Sequence, residues 1–459
     1  MEQSLTFDID LIRRYDKAGP RYTSYPTAVQ FHEGFGEADY RRQAARSNEA
    51  GGPLSLYFHI PFCDTVCFYC ACNKIATKDR SKAEEYLEAL FEEIRMQGEL
   101  FDDERVVDQL HWGGGTPTFL SHDQMRSLMA TTGRHFRLRD DDQGEYSIEI
   151  DPREATPETI RVLREIGFNR ISLGVQDFDP VVQKAVNRIQ SEAETFAVMD
   201  AAREHGFHGI SVDLIYGLPH QTAETFLKTV DRVIEASPDR LSVFNYAHLP
   251  ERFKPQRRIR EEDLPSAAEK LRILESTARR LEDAGYVFIG MDHFAKPDDP
   301  LAKAQRQGTL HRNFQGYSTH AECDMVAMGV SSIGMVHDCY SQNVKTLEPY
   351  YEAIREGRLP IEKGVEFDAE DRLRRAVITE LMCHFELDMD AFGDQQGIDF
   401  REHFAEELET LTPMEEDGLL TINGNRIEVL PAGRLLIRNI AMAFDAYLGE
   451  STKRFSRVI

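Results

Sequence analysis

The sequence predicts an α/β protein built around a partial barrel of parallel strands. From about residue 54 to 250, short β-rich segments alternate with helical patterns, which is typical of βα units and a parallel sheet. Six such units indicate a partial (β/α)6 barrel, whose functional groups would lie at the carboxyl ends of the strands. The 459 residues suffice for this barrel and a smaller companion domain.

Each predicted strand ends in a polar or glycine-containing turn, and amphipathic helices are predicted between the strands. In the clearest helix, apolar residues recur at helical spacing from Ala83 to Ile94. One polar strand end is usually only a turn, but six at one rim of a barrel indicate a site. The predicted strands are 55–60 (SLYFHI), 108–113 (DQLHWG), 146–150 (YSIEI), 170–175 (RISLGV), 209–216 (GISVDLIY) and 241–249 (LSVFNYAHL).

The pattern changes near residue 250, where the basic, proline-containing segment 251–265 leads into a helix from Ser266 to Gly285. From about residue 365 the pattern is two helices and a hairpin, whose turn is Asn423-Gly424. This predicts a small, mainly helical, winged-helix-like domain, and a helical cap with a hairpin describes it equally well. We expect an N-terminal lid segment at 1–45, the barrel at 46–350 and the C-terminal domain at 360–459.

Composition and charge exclude several functional classes. The chain has 54 Lys plus Arg against 79 Asp plus Glu, a net charge of -25, which argues against nucleic acid as a partner but permits a local basic pocket. No apolar run is long enough to span a membrane, and the first residues lack the order of a secretion signal. We therefore expect a cytoplasmic protein without a membrane partner.

Four of the seven cysteines lie within ten residues, as Cys63, Cys67, Cys70 and Cys72 in the pattern C-x3-C-x2-C-x-C. A structural zinc site normally uses two separated pairs, and no second pair is near. A redox dithiol explains Cys67 and Cys70 but not Cys63. An iron-sulfur cluster fits best, because three thiolates can hold three corners of a 4Fe-4S cube and leave one iron open. The spacing does not say which three cysteines are the ligands.

The motifs around this loop resemble those of one enzyme family, and the resemblance extends from Tyr22 to Ile459. C-x3-C-x2-C after the first strand of an α/β barrel is the hallmark of the radical S-adenosylmethionine (SAM) superfamily. The full set is similar to the oxygen-independent coproporphyrinogen III oxidase (coproporphyrinogen III dehydrogenase) family. The motifs are GPRYTSYPTA (19–28), YFHIPFC (57–63), the Cys70-Ala71-Cys72 extension, HWGGGTPT (111–118), SIEIDPRE (147–154), SLGVQDF (172–178), DLIYGLP (213–219), MGVSSIG (328–334) and the terminal RFSRVI.

The resemblance implies that Cys63, Cys67 and Cys70 bind a 4Fe-4S cluster whose open iron takes SAM, and that Cys72 is not a ligand. It also implies two SAM molecules, and Tyr69 stands where the family usually has phenylalanine. The first SAM would contact Tyr57, Gly114, Glu149 and Ile333. The second would contact Tyr69, Gly115, Thr116, Gln176, Arg188, Asp213 and Ala247.

The implied reaction is a twofold oxidative decarboxylation in haem biosynthesis. A 5'-deoxyadenosyl radical removes a hydrogen from the β-carbon of a propionate, and loss of CO2 and one electron leaves a vinyl group. Coproporphyrinogen III becomes protoporphyrinogen IX. The expected partners are this substrate and a low-potential electron donor such as flavodoxin or ferredoxin, and we expect a monomer.

For several of these residues, elementary chemistry gives a separate reason to expect a role in the site. The triplet Gly113–Gly115 lets backbone approach a ligand closely, although such triplets are often plain turns. Glu149 can accept hydrogen bonds from ribose hydroxyls, or be a solvated rim charge. Asp213 lies within a strand and needs a partner. His59 shares a strand face with Tyr57. We predict Tyr57 and His59 as catalytic. His59 would be a proton donor or a ligand-orienting group, and the alternative is that it is a buried histidine whose hydrogen bonds are satisfied.

An acidic protein must present local basic groups to a substrate with four carboxylates. The segment from Leu11 to Pro26 makes a candidate lid over the barrel mouth, with a surface helix as the alternative for Arg13 and Arg14. Arg21 and Arg188 are expected to lead in meeting the anionic ligands. The segment contains Arg13, Arg14, Lys17 and Arg21 against Asp16, with Tyr15, Tyr22 and Tyr25 interleaved.

Two rival interpretations remain at this point. A haem-chaperone-like relative would share the barrel, but it usually lacks GPRYTSYPTA and carries phenylalanine at the position of Cys72. A zinc-holding interaction protein would explain the cysteines but not the polar strand ends. This chain has both GPRYTSYPTA and Cys72, which favours the oxidase over the haem-chaperone-like relative.

Overall fold

A thirteen-stranded mixed sheet runs through the computed structural model, which describes residues 5–15 and 17–448. The strands in the described part of the chain are β1 Leu54–Ile60, β2 Phe62–Cys63, β3 Ile75–Ala76, β4 Val106–Gly114, β5 Arg137–Leu138, β6 Glu145–Ile150, β7 Arg170–Gln176, β8 Gly209–Tyr216, β9 Arg240–Asn245, β10 Val287–Gly290, β11 His293–Ala295, β12 His311–Asn313, β13 Gly316–Ser318, β14 Asp324–Met328, β15 Ile333–Val336, β16 Cys339–Asn343, β17 Ile361–Glu366, β18 Glu386–Asp388, β19 Leu420–Asn423 and β20 Arg426–Val429.

The α-helices cover both faces of this sheet or belong to the C-terminal part. In the described residues they are α1 Ile9–Tyr15, α2 Glu37–Ala50, α3 Lys82–Gly98, α4 His122–His135, α5 Pro157–Glu165, α6 Pro180–Ala185, α7 Glu192–Glu204, α8 Ala223–Ala236, α9 Ala267–Asp283, α10 Pro300–Gln307, α11 Leu347–Arg355, α12 Ala369–His384, α13 Met389–Gln396, α14 Phe400–His403, α15 Ala405–Glu416 and α16 Ile437–Ala441. The predicted helix after the cysteines is α3, whose apolar stripe is buried. None of these helices is both long and apolar enough to cross a lipid bilayer.

The six predicted strands form the centre of the sheet. Strands β1, β4, β6, β7, β8 and β9 lie side by side, parallel and in chain order, which confirms the partial barrel. The sixth strand was predicted to reach residue 249 but ends at Asn245, because the Leu249 N–H donates to the Gln256 side chain at 2.6 Å instead of to a strand. The sheet stays open, with β10 and β17 at its two edges.

The sequence pattern did not predict the strands beyond these six. Strand β14 lies parallel to β1 on its outer side, and β15, β16 and β17 continue the sheet in antiparallel order. At the other edge, β11 and β10 add to β9. These strands are short, and their partners are distant in sequence, so local periodicity carries little information about them.

Alternation along the strands makes the interior of the barrel polar. On β4, Leu110 and Trp112 point outward and are fully buried, and the Trp112 ring packs edge-on against Phe168 at 4.8 Å. Gln109 and His111 line an interior cavity of about 210 Å³. At its amino-terminal end, charged side chains form ion pairs. These are Arg170 with Glu145 at 3.1 Å and Arg240 with Asp299 at 3.0 Å.

The C-terminal part combines helices α12 to α15 with a small sheet of order β18-β20-β19. Its hairpin turns at Asn423-Gly424 as predicted, with Gly424 at a positive φ of 58°. Arg438 binds the N-terminal segment to this part, since its Nε donates to the Pro20 carbonyl at 2.8 Å. Strand β17 pairs with β16 in the large sheet. The domain boundaries stay predictions, and the motif RFSRVI lies outside the described residues.

Candidate active site

The cysteine loop leaves the carboxyl end of β1, as the sequence predicts. Cys63 and Cys67 are buried, Cys70 is half-buried and Cys72 is exposed. Burial raises the pKa of Cys63 to about 11, whereas a hydrogen bond from Cys72 lowers the pKa of Cys70 to about 6. The loop is fixed by its backbone, because the Thr77 N–H donates to the Cys63 carbonyl at 2.9 Å. The three cysteines therefore lie on one short, anchored loop.

Two guanidinium groups lie against the sulfur of Cys67. Arg153 donates to it at 3.6 Å and Arg188 at 3.5 Å, and both also pair with Asp151, at 2.6 and 2.8 Å. Arg188 is buried and donates to the Gly174 carbonyl at 2.6 Å. Hydrogen bonds to a sulfur stabilise the negative charge that a metal-bound thiolate carries. Arg188 thus lies beside the cluster loop, where Asp151 neutralises much of its charge.

The glycine triplet at the end of β4 is packed so closely that side chains would not fit. A Cβ on Gly115 would lie 2.6 Å from the Pro61 carbonyl oxygen, and one on Gly114 would lie 2.8 Å from the His59 ring. Gly114 also has a φ of 116°, which favours glycine. The next residue, Thr116, donates from its hydroxyl to the Cys63 sulfur at 3.5 Å. The triplet brings backbone against both the cysteine loop and the strand that precedes it.

A row of side chains crosses the mouth of the barrel from β1 to β6. Tyr57 stacks on His111 with ring centroids 5.9 Å apart, and His111 Nε2 lies 3.4 Å from Glu149. The Gly114 N–H donates to the other Glu149 oxygen at 3.2 Å. Partial desolvation opposes ionisation, but the hydrogen bonds from His111 and from the Gly114 N–H outweigh it and lower the pKa of Glu149. The Glu149 side chain is 48% exposed, so an ionised carboxylate faces the open mouth.

His59 is held on both ring nitrogens. Its Nε2 lies 2.9 Å from the Asn73 carbonyl, which only accepts, so this nitrogen carries the proton and Nδ1 accepts from the Tyr57 hydroxyl at 3.1 Å. Burial lowers the pKa of His59. The neutral ring orients Tyr57 and the cysteine loop, which agrees with the ligand-orienting role and with the satisfied buried histidine.

The residues predicted for a second SAM fall into separate groups. Gln176 and Arg188 crowd around Gly174, and the Gln176 Oε1 atom is buried without a hydrogen-bond partner among the described residues. Asp213 points to the polar interior and has the partner that its place in a strand requires, since Ser172 donates to it at 3.4 Å; burial raises the pKa of Asp213 to about 6.

The remaining predicted contacts lie around these groups. Ile333 packs against the same apolar cluster as Tyr57. Tyr69 packs beside Tyr246, and Gln256 donates to the Tyr69 carbonyl at 2.9 Å. Gly115 and Thr116 contact the cysteine loop rather than the second group.

A cavity of about 810 Å³ opens beyond the carboxyl ends of β8 and β9. Ala247 lines it together with Tyr216 and Asn245. Its charged lining is mainly basic, and Asp292, which pairs with Arg21, is the one acidic residue of the described lining. Burial lowers the pKa of Arg21 to about 10, so this group stays protonated at neutral pH. The basic groups are Arg13, Arg21, Lys270 and Arg438.

The N-terminal segment contributes less to this cavity than the candidate lid predicts. Arg13 and Arg21 line it, but Arg14 pairs with Asp417 and lies apart from it. The tyrosines point to the C-terminal part, where Tyr22 donates to Asp445 at 2.9 Å and Tyr15 to Asp417 at 2.7 Å. Arg188 is not part of the lining either, because the cysteine loop and Asp151 hold it elsewhere.

Sequence comparison matches two parts of the chain to known families. The radical SAM superfamily matches residues 57–233, and the HemN C-terminal domain matches residues 367–436. The oxygen-independent coproporphyrinogen III oxidase of Pseudomonas aeruginosa is 55% identical over 460 residues, with both chains covered in full. The enzyme of the same name from Escherichia coli is 50% identical, covering 100% of this chain and 99% of its own.

The chain belongs to the oxygen-independent coproporphyrinogen III oxidase family. A solved structure of coproporphyrinogen III oxidase (HemN) from Escherichia coli, described as a radical SAM enzyme, has 49% identity and a TM-score of 0.93. The alignment covers 97% of this chain and 100% of that one. Both the recognised family and the predicted fold are therefore confirmed, and membership implies a 4Fe-4S cluster and SAM.

Several residues of this oxygen-independent coproporphyrinogen III oxidase site were not predicted from the sequence. His111 links Tyr57 to Glu149, and it has a signal, since it stands two residues before Gly113 on the interior face of β4. Asp151 lies within the motif SIEIDPRE, but its pairing with Arg188 joins positions 37 residues apart. Such pairs leave no local periodicity to detect.

Glu93 is a further residue that the sequence did not indicate, and it holds the glycine-rich patch 328–334 against β1. This buried carboxylate of α3 accepts from Gly329 N at 2.8 Å, Tyr350 Oη at 2.6 Å and Asn343 Nδ2 at 2.7 Å. Tyr86 completes the link, since its hydroxyl donates to the His59 carbonyl at 2.6 Å and accepts from Val330 N at 3.0 Å.

Glu93 should make the stability of the oxidase depend on pH. Burial raises its pKa from 4.5 to about 7, so between these values the native state binds more protons than the unfolded state. Stability is then full below pH 4.5 and falls as pH rises to 7, by up to about 3 kcal/mol. We expect Glu93→Gln to remove this part of the pH dependence, measured by thermal unfolding at several pH values. Glu88→Gln, on the exposed face of α3, is the control, and identical pH profiles for both variants would contradict the assignment.

Proposed function

We propose that this chain catalyses the oxygen-independent oxidation of coproporphyrinogen III to protoporphyrinogen IX at the mouth of its barrel, with Cys63, Cys67 and Cys70 holding the 4Fe-4S cluster. The observation that carries the assignment is the set of hydrogen-bond donors on these sulfurs. Thr116 donates to Cys63, and Arg153 and Arg188 donate to Cys67. Such donors stabilise sulfur atoms that carry negative charge, as cluster thiolates do.

The site also fits SAM. The glycine triplet forms a cradle that a Cβ would fill, and the Gln176 Oε1 atom is buried without a partner among the described residues. Glu149 is ionised and faces the mouth, as an acceptor for ribose hydroxyls must. When bound, the reduced cluster and SAM supply the radical that removes hydrogen from a propionate side chain.

We propose two SAM sites around the mouth, the second of which draws its residues from several separate groups. The first is formed by Tyr57, Gly114, Glu149 and Ile333, and His59 positions Tyr57 for it. In the second, Asp213 and Gln176 supply polar groups, and Arg188 shapes the wall behind them. The residues proposed for the second site are Tyr69, Gly115, Thr116, Gln176, Arg188, Asp213 and Ala247.

The cavity of about 810 Å³ is the proposed site for the porphyrinogen. Its basic groups would hold the propionates as ion pairs, since guanidinium and ammonium groups bind carboxylates with charge-assisted hydrogen bonds. The loop from Tyr246 to Gln256 connects it to the cysteine loop, through the packing of Tyr246 near Tyr69 and the Gln256–Tyr69 hydrogen bond. We further propose a cytoplasmic monomer that takes electrons from a flavodoxin or ferredoxin.

The decisive experiment is an anaerobic assay with reconstituted cluster, dithionite, SAM and coproporphyrinogen III. We expect protoporphyrinogen, CO2 and one SAM cleaved for each CO2. A chain that cleaves SAM and leaves the porphyrinogen unchanged would overturn the proposed function. Equilibrium dialysis with labelled SAM tests the two sites independently, because it should give two SAM per chain, and a value of one would refute the second site.

Substituting Lys270 tests the substrate cavity. Lys270→Met keeps the aliphatic stem, but it removes a half-buried ammonium group that donates to the Tyr246 carbonyl at 3.2 Å. A charged hydrogen bond contributes about 1.5–3 kcal/mol, so KM for coproporphyrinogen should rise about tenfold or more while SAM cleavage without substrate stays unchanged. Lys228→Met, on the exposed face of α8, is the matched control. An unchanged KM in Lys270→Met would place the propionates elsewhere.

A further inference from the structure

A basic segment interrupts the acidic surface beside the cysteine loop. Residues 251–260, here called the basic segment, contain five Lys or Arg and one acidic residue in a chain of net charge -25. Arg260 pairs with Asp263 at 2.7 Å. Lys254, Arg257 and Arg258 are exposed, and in the described part of the chain no carboxylate lies within 4 Å of them. The charge of these three side chains is not paired with a carboxylate in the described residues, although Glu261, Glu262 and Asp263 follow directly in the chain, and the site described above does not use it.

The basic segment touches the cysteine loop directly. The Arg258 guanidinium lies over the Phe68 ring at 5.1 Å, and Phe68 follows Cys67 in the chain. Gln256 adds a second connection through its hydrogen bond to the Tyr69 carbonyl. A partner that docks on this segment would therefore lie next to a proposed ligand of the cluster.

Exposed apolar side chains lie on the segment 181–189, which hydrogen-bonds to the same loop. Val181 and Ile189 are 58% and 64% exposed, which is unusual for large aliphatic residues in this chain. They adjoin the loop because Phe68 N donates to the Val186 carbonyl at 2.9 Å and Asn187 donates to the Val66 carbonyl at 2.8 Å. Lys184, also exposed, adds a further positive charge between them. Exposed apolar groups beside charged ones are typical of transient protein interfaces.

We propose that this face, formed by Phe68, Val181, Lys184, Ile189, Arg257 and Arg258, docks a small acidic protein that carries a one-electron donor. Charge complementarity selects an acidic partner, because the rest of this chain repels one. The position selects an electron carrier, because Phe68 in this face is next to Cys67 in the chain, whereas Glu149 faces the open mouth of the barrel. The proposal rests on the function proposed above, since it requires the cluster at Cys63, Cys67 and Cys70.

The test measures binding of an oxidised flavodoxin to the cluster-loaded chain, by calorimetry at low salt. Reversing two charges in R257E/R258E should weaken binding at least tenfold, since rim charges steer and hold an oppositely charged partner. The control R272E/R279E carries the same change of charge on the exposed face of α9. Equal affinities of these two double variants would overturn the proposal.

Two further measurements test whether the docking is electrostatic and whether it acts through electron transfer. Binding to the unsubstituted chain should weaken as salt rises to physiological concentration, and salt-independent affinity would also overturn the proposal. Reduction by dithionite needs no docking, so R257E/R258E should cleave SAM with dithionite as fast as the unsubstituted chain and lose rate only with reduced flavodoxin. Failure of the unsubstituted chain to bind a cluster would refute the proposed function together with this proposal, whereas a chain that binds the cluster but gives equal affinities for the two double variants would refute the docking face alone.

Discussion

Cys67→Ser should yield a protein that folds but retains no 4Fe-4S cluster and has no measurable oxidase activity. The serine oxygen is a much harder and less acidic ligand than a thiolate, and the Cys67 sulfur is the one that both Arg153 and Arg188 contact. Those two arginines also pair with Asp151, so the loop keeps its packing when the sulfur is lost. Iron and sulfide content after anaerobic reconstitution measures the result, together with the spectrum of the reduced cluster.

Cys72→Ser is the matched control for this prediction. Cys72 is exposed, and its hydrogen bond lowers the pKa of Cys70, a role that a serine hydroxyl can take over. We expect this variant to bind the full complement of iron and to remain active. If it lost as much iron as Cys67→Ser, the assignment of Cys63, Cys67 and Cys70 as the three ligands would be wrong.

The second large effect is expected for Glu149→Gln. The amide keeps the shape of the carboxylate, and its oxygen can still accept from Gly114 N, so the turn at the end of β4 should remain folded. The charge that would bind ribose hydroxyls is lost. Charged hydrogen bonds contribute about 1.5–3 kcal/mol, so the Kd of SAM at the first site should rise about 10- to 100-fold.

Labelled-SAM dialysis and the spectrum of the reduced cluster measure this prediction separately. We expect the number of SAM bound per chain to fall from two to one, with the iron content unchanged. Glu158→Gln, the same substitution at an exposed position of α5, should change neither quantity. SAM affinity within twofold of the unsubstituted chain would exclude Glu149 as a ribose ligand.

Much of this site could be predicted because the residues concerned are close in sequence or follow the regular alternation of side chains along a strand. Side chains alternate along a strand, so Tyr57 and His59 necessarily face the same way, and the structure joins them at 3.1 Å. Cys63, Cys67 and Cys70 lie on one loop because their spacing allows nothing else. Parallel strands in chain order bring Glu149 beside the end of β4, which its hydrogen bond to Gly114 confirms.

Residues whose roles depend on distant partners were predicted less well. That Arg188 meets an anionic ligand stays a prediction, and its contacts with Asp151 and the Cys67 sulfur were not indicated by the sequence. Tyr22 was expected near the mouth, and it instead donates to Asp445, 423 positions along the chain. A basic or aromatic side chain pairs with whichever partner the packing brings within reach, and the sequence around it does not record that partner.

The sequence by itself determined the barrel, the cysteine loop, the family and the rim of strand ends where the chemistry belongs. Each of these follows from local spacing or from motifs in a fixed order. Only the tertiary structure decided which basic groups line the cavity, that Glu93 holds the patch 328–334, and that β14 extends the sheet beside β1. Those outcomes depend on long-range packing and on ion pairs between distant positions, where burial and competing partners determine the result.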